Sequence, residues 1–306
     1  MRVKRIAAWA AVYLIWGSTY LAIKVAVGVL PPLFAAAVRF LTAGLLLYGW
    51  ARLRRAVPPT REQWPRVWLL AAMMFLVCYS CLFWAEKTIP SGAASVLVAT
   101  LPAWVLLFEM SILKTQQATP ALLAALAGGL AGVVLLSGSL RSSRGSIAWI
   151  PCAAIVLCEV SWAAGSVLSK RMVLPASHSI NAGAQMICGG ALLLAGSALA
   201  GEWRELRSPP LSVVLAMLYL IFAGSLAAYS SYVWLLERMS PTRLASYAYV
   251  NPVVALALGY LFAGEVLSPR AMMGCGLVLV SVVLILKSKS PARPAPRTAA
   301  VARAAD

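Results

Sequence analysis

The sequence predicts an all-α integral membrane protein of ten transmembrane helices, folded as two inverted five-helix repeats. Three observations carry this reading: an apolar content too high for a soluble domain, basic residues gathered on one set of loops, and an internal repeat. Hydrophobic residues fill 62% of the 306 positions and charged residues only 11%, against roughly 25% charged in soluble domains. One span needs about 20 apolar residues, so ten take roughly 200, about two-thirds of the chain.

Spans are read at 6–27, 32–51, 66–86, 91–112, 120–138, 147–169, 180–200, 211–236, 242–262 and 270–287. The first has the basic start of a cleaved leader, but its apolar run continues through Trp16 and Tyr20 without a small-residue cleavage site. It is read as a retained helix. A basic, proline-rich loop at 52–66 follows span 2. Thr119-Pro120 and Ser268-Pro269 set a capping residue before a proline at the start of spans 5 and 10. The first repeat is therefore expected over 1–138 and the second over 147–287, with 288–306 a disordered basic cytoplasmic tail.

The net charge of +17 could signal a nucleic-acid partner, so its placement decides. With the N-terminus inside, the cytoplasmic segments carry 18 of the 26 basic residues: Arg2, Lys4, Arg5, Arg52, Arg54, Arg55, Arg61, Arg66, Lys114, Lys170, Arg171, Arg238, Arg243, Lys287, Lys289, Arg293, Arg297 and Arg303. Six face the other side (Lys87, Arg141, Arg144, Arg204, Arg207, Arg270), and Lys24 and Arg39 lie within spans. That bias puts both termini in the cytoplasm. The charge is topological, and no nucleic-acid partner is expected.

A shift of 146 residues lays span 1 on span 6, matching Trp16 with Trp162 and Lys24 with Lys170. It also lays Arg39 on Gln185 and Gly44 on Gly190. A shift of 150 then matches Tyr79, Ser80 and Trp84 with Tyr229, Ser230 and Trp234, and Pro102 with Pro252. Five spans per copy is an odd number, so the second copy must enter the membrane from the opposite side. Inverted repeats of this kind are common in secondary transporters, with the substrate site at the repeat interface.

Ile15 to Tyr20 (Ile-Trp-Gly-Ser-Thr-Tyr), Pro31-Pro32, Val38-Arg39-Phe40, Pro90 to Ala94 and Ala99 to Pro102 together resemble the first EamA domain of the drug/metabolite transporter superfamily. Ser161-Trp162-Ala163, Ser246 to Val253 and Gly264-Glu265 resemble its second copy. The resemblance implies ten helices, inverted repeats and export of amino acids or other metabolites across the bacterial inner membrane. Glu159 stands where the family usually has a small residue, so it takes no role from the resemblance.

Tyr13, Trp16, Tyr20 and Lys24 share one face of span 1, and Glu159, Trp162, Ser166 and Lys170 share one face of span 6. These stripes either flank a substrate cavity or pack between helices, with the lysines snorkelling. The same cavity is expected to take Tyr79 and Trp84 from span 3, Thr100 from span 4, Tyr229 and Trp234 from span 8, and Ser246, Tyr249 and Asn251 from span 9. Pro102 and Pro252 free the carbonyls of Val98 and Ala248 and read as hinges or static kinks. Arg39 is a candidate carboxylate binder or a structural cation, Glu159 a candidate for proton coupling or an ion pair with Arg39, and Glu109 is expected to snorkel.

All six cysteines fall in spans, and even Cys78-x-x-Cys81 reads as inert thiols, with no disulfide and no metal. No paired acid-base set, metal cluster or phosphate loop is seen, so neither an enzyme nor an ATP-driven pump is expected. No cofactor is expected either. The partners are a small-molecule substrate and membrane lipid, in a monomer or homodimer. The reading is a secondary exporter working by alternating access, with an uncoupled facilitator or an importer as the alternative.

Overall fold

The computed structural model describes residues 2–88, 94, 97–137, 149–263 and 269–287. The motif at Pro90–Ala93, the Gly264-Glu265 pair, the Ser268 cap, Arg141, Arg144 and the 288–306 tail lie outside them. The described residues are helical, without a strand. In chain order the helices are α1 (Val3–Val27), α2 (Pro32–Leu53), α3 (Trp64–Glu86), α4 (Leu101–Leu113) and α5 (Pro120–Ser137). They continue with α6 (Trp149–Ser169), α7 (His178–Leu199), α8 (Leu211–Leu236), α9 (Tyr247–Ala263) and α10 (Pro269–Lys287). Among them α1, α2, α3, α6, α7 and α8 are long and apolar enough to cross a membrane. Thr119 caps α5 as the sequence indicates, its Oγ1 accepting from Leu122 N at 3.2 Å.

Small residues set how the helices approach. A Cβ on Gly44 of α2 would fall 2.8 Å from the backbone nitrogen of Ile187 on α7, and one on Gly190 would fall 2.7 Å from that of Leu41. Adding 146 to positions 41 and 44 gives 187 and 190, so these are one contact seen from both copies of the repeat. Such reciprocity is what a two-fold relation requires. Gly183 meets Tyr48 in the same seam, so 41, 44 and 48 oppose 190, 187 and 183 and the two helices run antiparallel.

α5 and α10 pair in the same sense. Gly132 lies against Gly274 and Val278, and Gly128 against Ser281. The Gly-x-x-x-Gly stretch of α5 is thereby used inside the chain rather than left as a free face. The remaining contacts exchange under the same rule: α1 packs on α8 and α9, while α6 packs on α3 and α4.

π-helical turns at Ala72–Val77 in α3 and Leu220–Ala227 in α8 overlap after a shift of 150. Each widens its helix just before Tyr79 or Tyr229, re-aiming the residues that follow. Pro102, expected in mid-helix, is the second residue of α4 and follows a turn at Ala99–Thr100. It begins a helical segment, the position where a missing N–H costs nothing. Pro252 does lie inside α9.

Candidate substrate cavity

α1, α3, α6, α8 and α9 bring six large rings into one cluster. Trp16 sits edge-on to Trp162 at 5.7 Å between centroids and to Tyr247 at 4.8 Å. Trp162 touches Tyr79, Tyr229 and Tyr232 at 5.3 to 6.1 Å. Contacts of this kind add about 0.5–1.5 kcal/mol each beyond area burial, so the cluster is a rigid centre.

Two cavities share these rings. The first lies between α1, α2, α3, α6 and α9, where Trp16, Tyr20, Tyr79, Trp162 and Asn251 meet Arg39 and Glu159. The second lies between α3, α6, α7 and α8, with Asn181, Gln185, Tyr229 and Tyr232 on its walls and Lys170 and Glu237 at its rim. Their free volumes are only about 50 and 60 Å³, room for a water or two. Both are narrow where the rings pack.

The first cavity holds polar groups with nothing to bond. Arg39 is 1% exposed; its Nε donates to Ser225 Oγ at 2.9 Å, and its guanidinium lies over the Phe40 and Tyr79 rings. Its Nη1 finds no acceptor. Asn251 donates through Nδ2 to Tyr20 Oη at 3.2 Å, yet its Oδ1 accepts nothing. Trp162 Nε1 makes no hydrogen bond of good geometry and lies beside the Tyr232 hydroxyl, whereas Trp16 Nε1 donates to Gly224 O at 3.0 Å. A buried polar atom left so costs about 1–3 kcal/mol. Three residues that line this one cavity carry such atoms.

Glu159 is 4% exposed and meets only a weak donor, Cys158 Sγ at 3.4 Å. It shares the cavity with Arg39, but the two do not come within ion-pairing distance; among the described residues the ion pair is Arg238–Glu237. Cys78 and Cys158, 80 residues apart in sequence, bring their sulfurs to 2.6 Å across α3 and α6 as free thiols.

Several expected residues stand elsewhere. Trp84 is 43% exposed, because it lies on the side of α3 turned away from the cluster. Trp234 lines a cavity at the end of α8 and carries the Arg238 guanidinium over its ring. Thr100 and Tyr249 face an apolar groove between α4 and α5, where Tyr249 Oη donates to Leu126 O at 3.0 Å. Tyr13 and Ser246 hydrogen-bond each other at 2.7 Å, and Ser166 bonds Tyr232 Oη, so these serve helix contacts beside the cavity.

Glu109 does not snorkel. It is 1% exposed, accepting from Thr242 N and Oγ1 at 2.9 and 2.7 Å and from Thr115 Oγ1. That carboxylate caps the short helix Pro241–Leu244 that leads into α9. Lys170 at the second cavity's rim has its ammonium pKa lowered by burial, partly offset by the Glu109 and Glu237 carboxylates.

Sequence reasoning missed Glu86. It is the last residue of the span read at 66–86, and it is fully buried with both carboxylate oxygens lacking a hydrogen bond, beside the Lys24 ammonium that donates to its backbone carbonyl. Tyr232, Tyr247 and Ser225 were also missed, since nothing in their spacing separates them from ordinary packing residues.

An apolar helical bundle with a polar, aromatic-walled cavity in its middle is the build of a membrane transporter. The model of the EamA-like transporter family matches this chain twice, over residues 5–138 and 149–287. The chain belongs to that family. It is 38% identical over 291 residues to "Uncharacterized inner membrane transporter YedA" of Escherichia coli (strain K12), covering 93% of this chain and 92% of that one. It is 30% identical to "Protein PecM" of Dickeya dadantii (strain 3937) over 89% of this chain and 88% of PecM. A solved crystal structure superposes with a TM-score of 0.75 at 23% identity, covering 93% of this chain and 96% of that chain, which shows the shared fold.

Proposed function

We propose that this transporter is a ten-span bacterial inner-membrane exporter of amino acids or related, partly apolar metabolites, working by alternating access between two inverted repeats. The observation that carries the substrate class is the set of unsatisfied groups on the first cavity. Arg39 Nη1 and Trp162 Nε1 are donors suited to a carboxylate and Asn251 Oδ1 is an acceptor suited to an ammonium, with the thiol-bonded Glu159 carboxyl on the same cavity as a second acceptor. The rings between them suit an apolar side chain.

The antiparallel α2–α7 and α5–α10 seams support the inverted arrangement. The inner-membrane location is supported by the relative's description. The basic-residue bias supports cytoplasmic termini. Substrate admission then requires the helices on one side of the ring cluster to part while those on the other stay closed.

Glu159 is the candidate proton carrier, because keeping a bare charge in this apolar cavity is expensive and protonation removes it. The test is uptake of a labelled amino-acid panel into proteoliposomes, with and without a pH gradient. Gradient-driven accumulation that disappears in Glu159→Gln, with substrate exchange retained, supports coupled export. Accumulation untouched by Glu159→Gln removes the proton role. Equilibration that never exceeds the external concentration indicates an uncoupled facilitator.

A further inference from the structure

A cavity of about 740 Å³, far larger than the two around the ring cluster, opens at another place: where α1 begins and where α8 and α10 end. Three guanidinium side chains from three separate segments line it: Arg5 on α1, Arg238 just after α8, and Arg243 on the Pro241–Leu244 turn. Trp9 and Trp234 stand beside them, and Leu286 of α10 closes an apolar wall. We propose that this cavity binds the phosphate headgroup of an anionic membrane lipid.

Charge, shape and position each favour that occupant. Arg5, Arg238 and Arg243 give the cavity a basic lining, with no carboxylate among its described lining residues. Arg238 is fixed in advance, lying over the Trp234 ring at 4.2 Å and donating to the Trp234 carbonyl at 2.8 Å. Guanidinium forks match phosphate oxygens, and less freedom is lost when the fork is already held. The cavity also sits at helix ends, the depth of lipid headgroups, where indoles are favoured. Basic pockets between helix ends are a recurring form of anionic-lipid recognition.

The place matters for the transport cycle. The turn that carries Arg243 is the one whose Thr242 is held by Glu109, and Ser246, three residues on, bonds Tyr13 of α1. A lipid bridging Arg5 and Arg243 would tie α1 to the start of α9, two helices that also wall the substrate cavity.

The test uses the full-length protein in detergent, titrated with phosphatidylglycerol, with chain-matched zwitterionic phosphatidylethanolamine, and with inorganic phosphate alone. Bound lipid is counted by native mass spectrometry, and the Tm is followed in parallel. Phosphatidylglycerol should form adducts at least fivefold more abundant than phosphatidylethanolamine and raise the Tm. The preference should vanish in the double variant Arg5→Gln with Arg243→Gln. It should persist in Arg54→Gln with Arg61→Gln, which removes two basic residues elsewhere. If the Arg243 variant does not fold, Arg5→Gln with Arg238→Gln makes the same test. Equal adducts for both lipids, an unchanged preference in the cavity variants, or an equal loss in the control variant would overturn the proposal. So would a Tm rise with inorganic phosphate that matches the one with lipid, since that would mark a site for soluble anions.

Discussion

The two cavities beside the ring cluster occupy repeat-related places and have opposite chemistry. In the second, Gln185 donates to Asn181 Oδ1 at 2.7 Å and accepts from Tyr229 Oη at 2.8 Å, so both ends of its amide are engaged within the protein. In the first, the same repeat positions hold Arg39 and Tyr79, and the arginine keeps a nitrogen unspent. Likewise Glu159 stands where the first copy has Tyr13, whose hydroxyl is taken by Ser246. The scaffold is symmetric; the unsatisfied groups are not. Under the proposed function, the repeated backbone would serve both faces of the membrane alternately while recognition stays on one side of the ring cluster.

The largest expected effect comes from exchanging that asymmetry. Arg39→Gln should lower apparent substrate affinity roughly 10- to 150-fold, the range of one charge-assisted hydrogen bond of about 1.5–3 kcal/mol. Gln185→Leu, its counterpart, should leave affinity within about threefold. It should still lower the Tm, because Tyr229 Oη loses its acceptor. Equal losses of affinity in the two variants would mean both cavities bind substrate and would end the comparison.

Trp162→Ala comes next. It removes a ring that touches four others and should weaken binding about tenfold for aromatic substrates and less for small ones. The same loss for every side chain would mean that the ring only supports the wall.

The smallest effects sharpen the symmetry itself. Gly44→Ala and Gly190→Ala should each lower the Tm by a similar few degrees, for an overpacking cost of about 1–3 kcal/mol. Each would drive a Cβ into backbone across the same seam. Gly276→Ala, with nothing within 4 Å of the new Cβ, should leave the Tm unchanged or slightly higher, since a helical glycine is replaced without a clash.

Most of the fold was legible in the sequence because membrane spans announce themselves by length and apolarity. Trp, Lys, Tyr and Pro recurring at two offsets outweigh chance matches among small residues. That Arg39, Trp16 and Trp162 stand out from the packing was legible for the same reason, being costly or bulky on repeat-matched faces, and all three line the first cavity. Trp84 was misassigned because a shared offset with Trp234 says nothing of which way either ring points, and the π-helical turn in each helix rotates everything after it. Glu86 escaped because a carboxylate at a span's end normally reaches water, whereas this one is covered.

The central claim, that the first cavity recognises a carboxylate through Arg39, is tested most directly by binding to purified wild type and Arg39→Gln. The ligands are an apolar α-amino acid and the amine that lacks only its carboxylate. Wild type should bind the amino acid at least tenfold more tightly than the amine. Arg39→Gln should bring the amino acid down to the level of the amine while leaving the amine itself nearly unchanged. If Arg39→Gln instead weakens both ligands by the same factor, the arginine supports the fold and the carboxylate is recognised elsewhere.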